Sequence, residues 1–147
     1  GWMNYGEDYA TKTLKLNISS IKQRIAVLPN EMNAYCPWAG LASVGCGGTR
    51  CFVWANGGAS GDLSLYFHEM GHNLGLMHSN RVGSDDEYGD YTCAMGSLYG
   101  CYNAPNNWRM GWGSPIPGGH FNNSNMPKGT WMPYVLPFQT RAVNSSI

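Results

Sequence analysis

The alternation of apolar and polar residues predicts one helix and two strands near the start of the chain. Apolar side chains recur at helical spacing over residues 7–20 and just beyond, at Ala10, Leu14, Ile18 and Ile21. Residues 24–28 form a short apolar run that stops at Pro29, and they predict a buried strand. Residues 51–55 predict a second strand, closed by Asn-Gly-Gly. The intervening loop, residues 30–50, has an apolar segment at 38–42 that we expect to pack against the sheet.

The position of the second strand within the sheet stays open at this stage. An exposed edge at residues 51–55 would border any cleft lined by the next helix, because the strand comes directly before that helix. Such an edge binds an extended peptide through main-chain hydrogen bonds. An interior strand is the alternative, and it would leave no edge for a ligand.

A second helix is predicted by four apolar side chains at helical spacing: Leu63, Phe67, Met70 and Leu74. Asp62 or Ser60 can cap its first turn. At about 100° per residue, this apolar stripe points nearly opposite to His68 and His72. We therefore expect one face of the helix to pack and the other to face a cleft.

The polar face of this helix has the pattern H-E-x-x-H. His68 and His72 are four residues apart, so their imidazoles lie on one helix face and can converge on one ion. Glu69 lies beside them, where its carboxylate can reach a water bound to that ion. Gly75 can adopt the left-handed conformation that ends a helix and turns the chain, which brings His78 round as a third nitrogen. Three histidines and one water are typical of a catalytic zinc site. The alternative interpretation is a helix with two hydrogen-bonded surface histidines and no metal.

Other histidines and acidic residues are not expected to bind this metal. His120, in a Pro-Gly-Gly-His loop, is interpreted as a surface histidine. The loop over residues 79–90 contains four acidic residues that could bind calcium: Asp85, Asp86, Glu87 and Asp90. Their spacing differs from that of an EF-hand loop, so a solvated acidic loop is the simpler interpretation.

The last third of the chain is predicted to be mostly irregular. Asn103-Ala104-Pro105 is typical of a helix start and leads into residues 106–112. Beyond Gly113 the chain is rich in glycine, proline and asparagine, with one further predicted strand at residues 130–138.

Composition indicates an extracellular protein of one domain. The 147 residues suit a single domain, and nine basic and nine acidic residues give a net charge of zero, which favours neither nucleic acid nor a membrane surface. No apolar run is long enough to cross a bilayer. The chain begins at Gly1 without a signal peptide or an initiator methionine, so we expect a processed or excised segment. A secreted monomer is expected.

The five cysteines indicate an oxidising compartment. The metal site already has three histidines, so disulfides are the better interpretation of the thiols. We expect Cys46 to pair with Cys51 and Cys93 with Cys101, which leaves Cys36 without a partner in this segment. Sequons for N-glycosylation at residues 17, 122 and 144 are compatible with a secreted glycoprotein.

The stretch from His68 to His78 resembles the zinc signature of the metzincin metallopeptidases, H-E-x-x-H-x-x-G-x-x-H. In that clan a methionine in a tight turn lies beneath the zinc-bound histidines, and Met95, flanked by Ala94 and Gly96, matches it. Residues 68–79, 88–96 and 103–108 are similar to the gametolysin family, secreted zinc endopeptidases of volvocine green algae that degrade cell-wall and extracellular-matrix glycoproteins.

This resemblance implies an α+β, metzincin-like fold, truncated at one or both ends. It has a small twisted mixed sheet with a backing helix and an active-site helix, followed by an irregular part with the methionine turn and one further helix. Residues 1–147 would be one metallopeptidase catalytic domain, with subdomains 1–78 and 79–147. It also implies Zn²⁺ on His68, His72 and His78, Glu69 as general base, and a protein or glycoprotein substrate bound as an extended strand.

Two other functions remain open from the sequence. The domain could be a zinc-stabilised secreted module that binds matrix polypeptides without turnover, although a structural zinc site prefers four protein ligands. It could also be a metal-dependent hydrolase that acts on something other than peptides.

Overall fold

The structure, a computed structural model, describes residues 1–48, 50–116, 118–135 and 145–146. Its contacts divide the chain into two compact units, residues 1–101 and residues 102–147. The first unit contains helices α1 (Trp2–Asp8) and α2 (Leu63–Asn73) and strands β1 (Gln23–Val27), β2 (Gly40–Ala42) and β3 (Cys51–Ala55). The second contains α3 (Ala104–Arg109), β4 (Ser114–Pro115) and β5 (Ser145–Ser146). The expected mixed α+β class with a small mixed sheet is confirmed, whereas the subdomain division after residue 78 stays a prediction.

The sheet of the first unit has the strand order β1-β3-β2. β3 pairs in parallel with β1, with Val53 opposite Ile25, and antiparallel with β2, with Trp54 opposite Leu41. Alternate side chains of β3 are fully buried, which gives the sheet its core contact with α2. The strand predicted at residues 51–55 is therefore confirmed, and it is the interior strand.

The short strand β2 was not expected, because residues 38–42 were predicted to pack on the sheet. Instead, Gly40–Ala42 joins the sheet as its antiparallel edge. The amide of Asn56 extends this junction, since its Nδ2 donates to the carbonyl oxygens of Cys36 and Trp38. The segment before β2 is thereby fixed to the end of β3.

The helix predicted at residues 7–20 has the wrong bounds. α1 begins at Trp2 and continues as a wider π-type turn over Tyr9–Thr13. Lys15 has φ of 55°, a left-handed conformation that stops a helix. The side chain of Asn17 then accepts hydrogen bonds from the amide and hydroxyl of Ser19, a local turn that competes with helix formation.

The strand predicted at residues 24–28 forms, but the prediction that it is buried is wrong. β1 is an edge strand of the described sheet, and Ile25 and Val27 are 42% and 55% exposed. An apolar run marks a strand without indicating how many of its faces are covered.

The apolar stripe of α2 is not the face that packs. Leu63, Phe67 and Leu74 are all exposed, whereas Glu69, His72 and Asn73 are buried. The helix is held to the sheet by polar contacts: Nδ2 of Asn73 donates to carbonyl oxygens of Ser43 and Phe52. The expectation that the apolar face packs is therefore wrong, because hydrogen bonds to the strand backbone determine which face is covered.

In the second unit, the predicted start of α3 is confirmed. The side chain of Asn103 accepts from the amide of Asn106, and a proline occupies the first turn. Gly111, with φ of 70°, follows the end of the helix. Residues 130–135 form no strand, and the rest of the strand predicted at 130–138 lies outside the described residues, as does the sequon at residue 144.

One of the two predicted disulfides is present. Cys46 and Cys51 are joined, with their Cα atoms 5.4 Å apart. The second prediction is wrong: Cys93 is buried, with its sulfur accepting from the amide of Met95, while Cys101 is exposed. No helix of the described part of the chain has the length and apolar character needed to cross a membrane.

Candidate metal centre

The helix α2 begins at a well-formed cap. The carboxylate of Asp62 accepts from the backbone amide of Ser64 at 2.9 Å and from its hydroxyl at 2.7 Å. Asp62, and not the alternative Ser60, is the capping residue. These bonds hold the pKa of Asp62 below its usual range. The cap determines where the helix starts, and His68 and His72 lie beyond its first turn.

The C-terminus of α2 turns the chain as the sequence predicted. Gly75 has φ of 85°, and its amide donates to the carbonyl of His72 at 2.8 Å. The amide of Leu76 donates to the carbonyl of Gly71 at 3.0 Å. Together these bonds form the Schellman motif, in which a left-handed glycine satisfies the last helical carbonyls. The chain reverses at this point and brings His78 back towards the helix.

The imidazoles of His68 and His72 are oriented by backbone carbonyl groups. Nδ1 of His68 lies 2.8 Å from the carbonyl oxygen of Ala94, and Nδ1 of His72 lies 2.9 Å from that of Leu76. A carbonyl oxygen can only accept, so each Nδ1 carries the hydrogen. Each Nε2 therefore has a lone pair available for a metal ion.

His78 is oriented differently, by a side chain. Its Nδ1 lies 3.1 Å from Oε2 of Glu87, a residue of the acidic loop. A carboxylate accepts, so this Nδ1 also donates, and Nε2 again has the lone pair. Glu87 thus does for His78 what the backbone does for the other two histidines, and sequence analysis did not single it out for this contact.

The three imidazoles converge as the spacing predicted. Their candidate ligand atoms all lie within 4.8 Å of one another, and Nε2 of His72 lies 3.1 Å from Nε2 of His78. Zinc–nitrogen distances of about 2.0–2.1 Å in a tetrahedron place two nitrogens about 3.3–3.4 Å apart, close to this separation. Two lone pairs at such a distance repel unless a proton or a cation lies between them. The donor set therefore fits a small divalent cation.

The electrostatics of the cluster favour neutral histidines. Burial lowers the pKa of His68, its bond to Ala94 opposes this, and the charges of the other two histidines lower it further. The pKa of His72 is also lowered, chiefly by burial and then by the charge of His78, against the bond to Leu76. Neutral imidazole is the form that binds a metal.

Glu69 is buried against the edge of the sheet. It is 5% exposed, and burial raises the pKa of its carboxyl group to about 7. The side chain of Glu69 fills the space next to Gly40 of β2 that a larger residue would occupy. A Cβ at residue 40 would lie 2.5 Å from Oε1 of Glu69 and 2.6 Å from Leu65. Only glycine lets this strand approach the carboxylate so closely. Gly40 is thus a second residue that sequence analysis missed.

Met95 lies in a tight turn beside the cluster. The amide of Gly96 donates to the carbonyl of Cys93, and Met95 is fully buried. The turn is bonded to the cluster through Ala94, which accepts from His68, and to the residue after His78, because the carbonyl of Met95 accepts from the amide of Ser79. The expected tight turn is present, and the role of the Met95 side chain beneath a metal stays a prediction.

The cluster opens into a cavity of about 500 Å³. His68 and Glu69 line it, together with Gly40 of the edge strand and Tyr88 of the acidic loop. The ring centroid of Tyr88 lies 4.1 Å from that of His78. Burial raises the pKa of the Tyr88 phenol, and the charges of Glu87 and Glu69 raise it further. Neither the helix pattern nor the metal motif distinguishes Tyr88 from the other tyrosines of the chain, so the sequence could not identify it.

The acidic loop makes contacts of its own rather than a second metal group. Asp86 accepts from the amide of Tyr88, and Asp90 accepts from the amide and hydroxyl of Thr92. Within the described ranges, the three histidines are the one group of at least three candidate ligands. His120 is exposed and outside that group, which agrees with its interpretation as a surface residue.

Comparisons with known proteins agree with this geometry. The family model described as gametolysin peptidase M11 matches residues 1–147. The autolysin of Chlamydomonas reinhardtii is 35% identical over 102 residues, which are 65% of this chain and 15% of that relative. The matched segment is therefore a small part of the autolysin, and no solved structure matches the chain. Because the family model matches from the first residue to the last, this chain belongs to the gametolysin peptidase M11 family.

Proposed function

We propose that this chain is the catalytic part of a secreted, zinc-dependent endopeptidase that hydrolyses peptide bonds in cell-wall or extracellular-matrix glycoproteins. The observation that carries the proposal is the convergence of three imidazoles beside a buried carboxylate in one cavity. The peptidase family and the name of the autolysin support the reaction and the kind of substrate.

His68, His72 and His78 would hold the zinc ion, with Met95 in the turn beside them. Three protein ligands leave one position for water or substrate, as is typical of catalytic rather than structural zinc. A zinc ion bound here would supply Lewis acidity, polarising the scissile carbonyl group and lowering the pKa of a water molecule towards about 7.

Glu69 is the proposed general base and acid. Its carboxylate takes a proton from the attacking water and gives it to the amide nitrogen as the peptide bond breaks. Burial favours this role, because a carboxyl group with a pKa near 7 can both accept and release a proton at neutral pH. The close approach of Gly40 limits the space into which the Glu69 side chain can move.

Strand β2 is the proposed binding site for an extended substrate. Among the described residues it pairs with β3 along one side, and Gly40 at its start lines the cavity with Glu69. An edge strand can add a peptide through main-chain hydrogen bonds, which requires no particular substrate sequence. This assigns to β2 the role that the sequence suggested for residues 51–55.

Secretion is supported by the disulfide and by the surface position of two sequons. Cys46 and Cys51 are joined, as is common in oxidising compartments. Asn17 and Asn122 are both exposed, so glycans could be attached without unfolding. With a net charge of zero, the chain is proposed to act as a monomer that binds neither nucleic acid nor membranes.

Replacing Glu69 by glutamine tests the reaction. Glu69→Gln keeps the shape of the side chain but cannot accept a proton, so casein cleavage should fall by at least about 100-fold while zinc remains bound. The matched control is Glu31→Gln, which changes an exposed glutamate outside the cavity and should leave turnover unchanged. Chelation should abolish the wild-type activity, and added zinc should restore it.

Three outcomes separate the candidate functions. Undiminished cleavage by Glu69→Gln would eliminate the proposed base. If the wild-type protein binds zinc and matrix polypeptide but does not cleave the polypeptide, it is a binding module. If the protein cleaves no peptide but hydrolyses another kind of substrate in a zinc-dependent reaction, it belongs to a different class of hydrolase.

A further inference from the structure

Tyr88 lies where the cavity meets the histidine cluster. Its ring centroid is 4.1 Å from that of His78 and 5.7 Å from that of His68, and its side chain lines the cavity beside Glu69. The residue is 37% exposed, so it contacts the histidines while remaining accessible from the cavity. It is therefore placed to touch a bound substrate.

The backbone of Tyr88 is held on both sides. Its amide donates to Oδ1 of Asp86 at 3.0 Å, and its carbonyl accepts from the hydroxyl of Ser97 at 2.7 Å. The next residue, Gly89, is buried, and a Cβ there would lie 3.0 Å from the carbonyl oxygen of Asp86. The loop is therefore tightly packed at this point, and its fixed backbone presents the Tyr88 ring to the cluster.

The hydroxyl of Tyr88 makes no hydrogen bond to any residue that the structure describes. Tyr66 provides a contrast, because its hydroxyl donates to the carbonyl oxygen of Ser60 at 2.7 Å. If contact with the imidazoles were the whole role of Tyr88, phenylalanine would serve equally well. The phenol adds a hydrogen-bond donor that the described part of the protein does not use.

The cavity has few other donors. Its described lining contains no lysine, arginine, asparagine or glutamine. The hydroxyl of Ser64 donates to Asp62, and that of Ser97 donates to the carbonyl of Tyr88, so both are engaged. Tyr99 also lines the cavity, but it is 79% exposed. Trp38 adds an indole N–H to the lining, but no ring contact joins it to the histidines in the described part of the chain, whereas Tyr88 contacts two of them. The phenol of Tyr88 is thus the side-chain donor that lies next to the cluster.

We propose that Tyr88 is a catalytic residue whose phenolic hydroxyl donates a hydrogen bond to the substrate carbonyl oxygen as that oxygen gains negative charge. The inference rests on the proposed peptidase function and adds a residue to it. A positioned donor aimed at developing charge stabilises the transition state more than the ground state. The bond involves no transfer of the phenolic proton.

The test compares Tyr88→Phe with Tyr91→Phe. Both changes remove one phenolic hydroxyl, but Tyr88 lines the cavity and contacts the histidine rings, whereas Tyr91 is exposed and outside the cavity lining. Tyr88→Phe should lower kcat/KM for a peptide substrate by about 100-fold, mainly through kcat, because one oxyanion donor typically contributes that much. A phosphinic peptide, which mimics the tetrahedral transition state, should bind Tyr88→Phe more weakly by a similar factor. Tyr91→Phe should resemble the wild type in both measurements.

Zinc affinity distinguishes this role from a purely structural one. Competition with a chromophoric chelator should give the same zinc affinity for wild type and Tyr88→Phe, because the ring that contacts His78 is retained. Wild-type kcat/KM in Tyr88→Phe, parallel losses of zinc affinity and activity, or a larger loss in Tyr91→Phe would each overturn the proposal. If wild type binds zinc but cleaves no peptide, the proposed function fails, and the role of Tyr88 fails with it.

Discussion

The helix α2 and the segment from residue 76 to residue 101 build the same site in different ways. The helix provides His68, Glu69 and His72 from one regular face, while the segment provides His78, Glu87 and Tyr88 from irregular backbone. His68 and His72 are oriented by carbonyl groups of Ala94 and Leu76, whereas His78 is oriented by the side chain of Glu87.

The two kinds of hydrogen-bond acceptor, backbone and side chain, respond differently to substitution. No replacement of a side chain removes the acceptor of His68 or His72, because a carbonyl group is present in every residue. A single replacement removes the acceptor of His78. The third imidazole is therefore the one whose orientation, and hence metal affinity, depends on a particular residue.

The sharpest test of this comparison is Glu87→Ala, which removes the carboxylate that accepts from His78. Loss of an outer-shell partner of a metal-bound histidine typically lowers affinity by about 10–100-fold, so zinc should bind more weakly by at least about 10-fold. The matched control is Asp85→Ala, which removes a carboxylate two residues away in the same exposed loop. If both variants bind zinc like the wild type, His78 needs no such partner, and the contrast between helix and loop fails.

A smaller effect is expected from Gly75→Ala. A left-handed conformation costs an L-residue about 1–2 kcal/mol, so the free energy of unfolding of the zinc-free protein should fall by about that amount. Zinc affinity should also fall, because the strained turn is the one that brings His78 to the helix. Thermal unfolding and zinc titration measure the two effects.

Gly83→Ala is the control for the turn, since Gly83 has a similar φ of 79° but lies in the acidic loop. Its free energy of unfolding should fall by about as much as that of Gly75→Ala, but its zinc affinity should change less. Equal zinc affinities for both variants would show that the position of His78 does not depend on the turn after α2.

The smallest effect is expected at the other end of the helix. Asp62→Ala removes the cap, so the melting temperature should decrease slightly while zinc affinity stays unchanged, because the two helical histidines lie beyond the first turn. Asp62→Asn should retain most of the stability, since asparagine caps nearly as well. A marked loss of zinc affinity in Asp62→Ala would mean that helix formation and metal binding are coupled.

The same comparison explains how much could be predicted from the sequence. Regular spacing predicted His68 and His72 on one face with Glu69 beside them, and the left-handed glycine predicted the return of His78, because both are local backbone rules. The partners Glu87 and Tyr88 lie in a loop with no periodicity, so nothing in the pattern indicates which of its side chains face the histidines.

The errors in the fold have related causes. The prediction that Leu63, Phe67 and Leu74 pack against the sheet followed the rule that apolar faces are buried. These side chains are exposed, and the bonds from Asn73 to the strand backbone cover the polar face instead. Strand β2 was missed because three residues carry too little pattern. The bounds of α1 were missed because one left-handed residue, Lys15, ends the helical run.

The acidic loop is closed at its base, where the amide of Asp90 donates to the carbonyl of Ser79 and the amide of Ser79 donates to that of Met95. Residues 80–89 therefore form an insert, and the backbone bonds that join its two ends involve none of its own residues. A change in the length or composition of this insert would leave its attachment points in place, because they are backbone bonds of Ser79, Asp90 and Met95. The same change would alter the contact of Glu87 with the third histidine and the part of the cavity wall that Tyr88 forms, so histidine orientation and cavity shape are set by one insert.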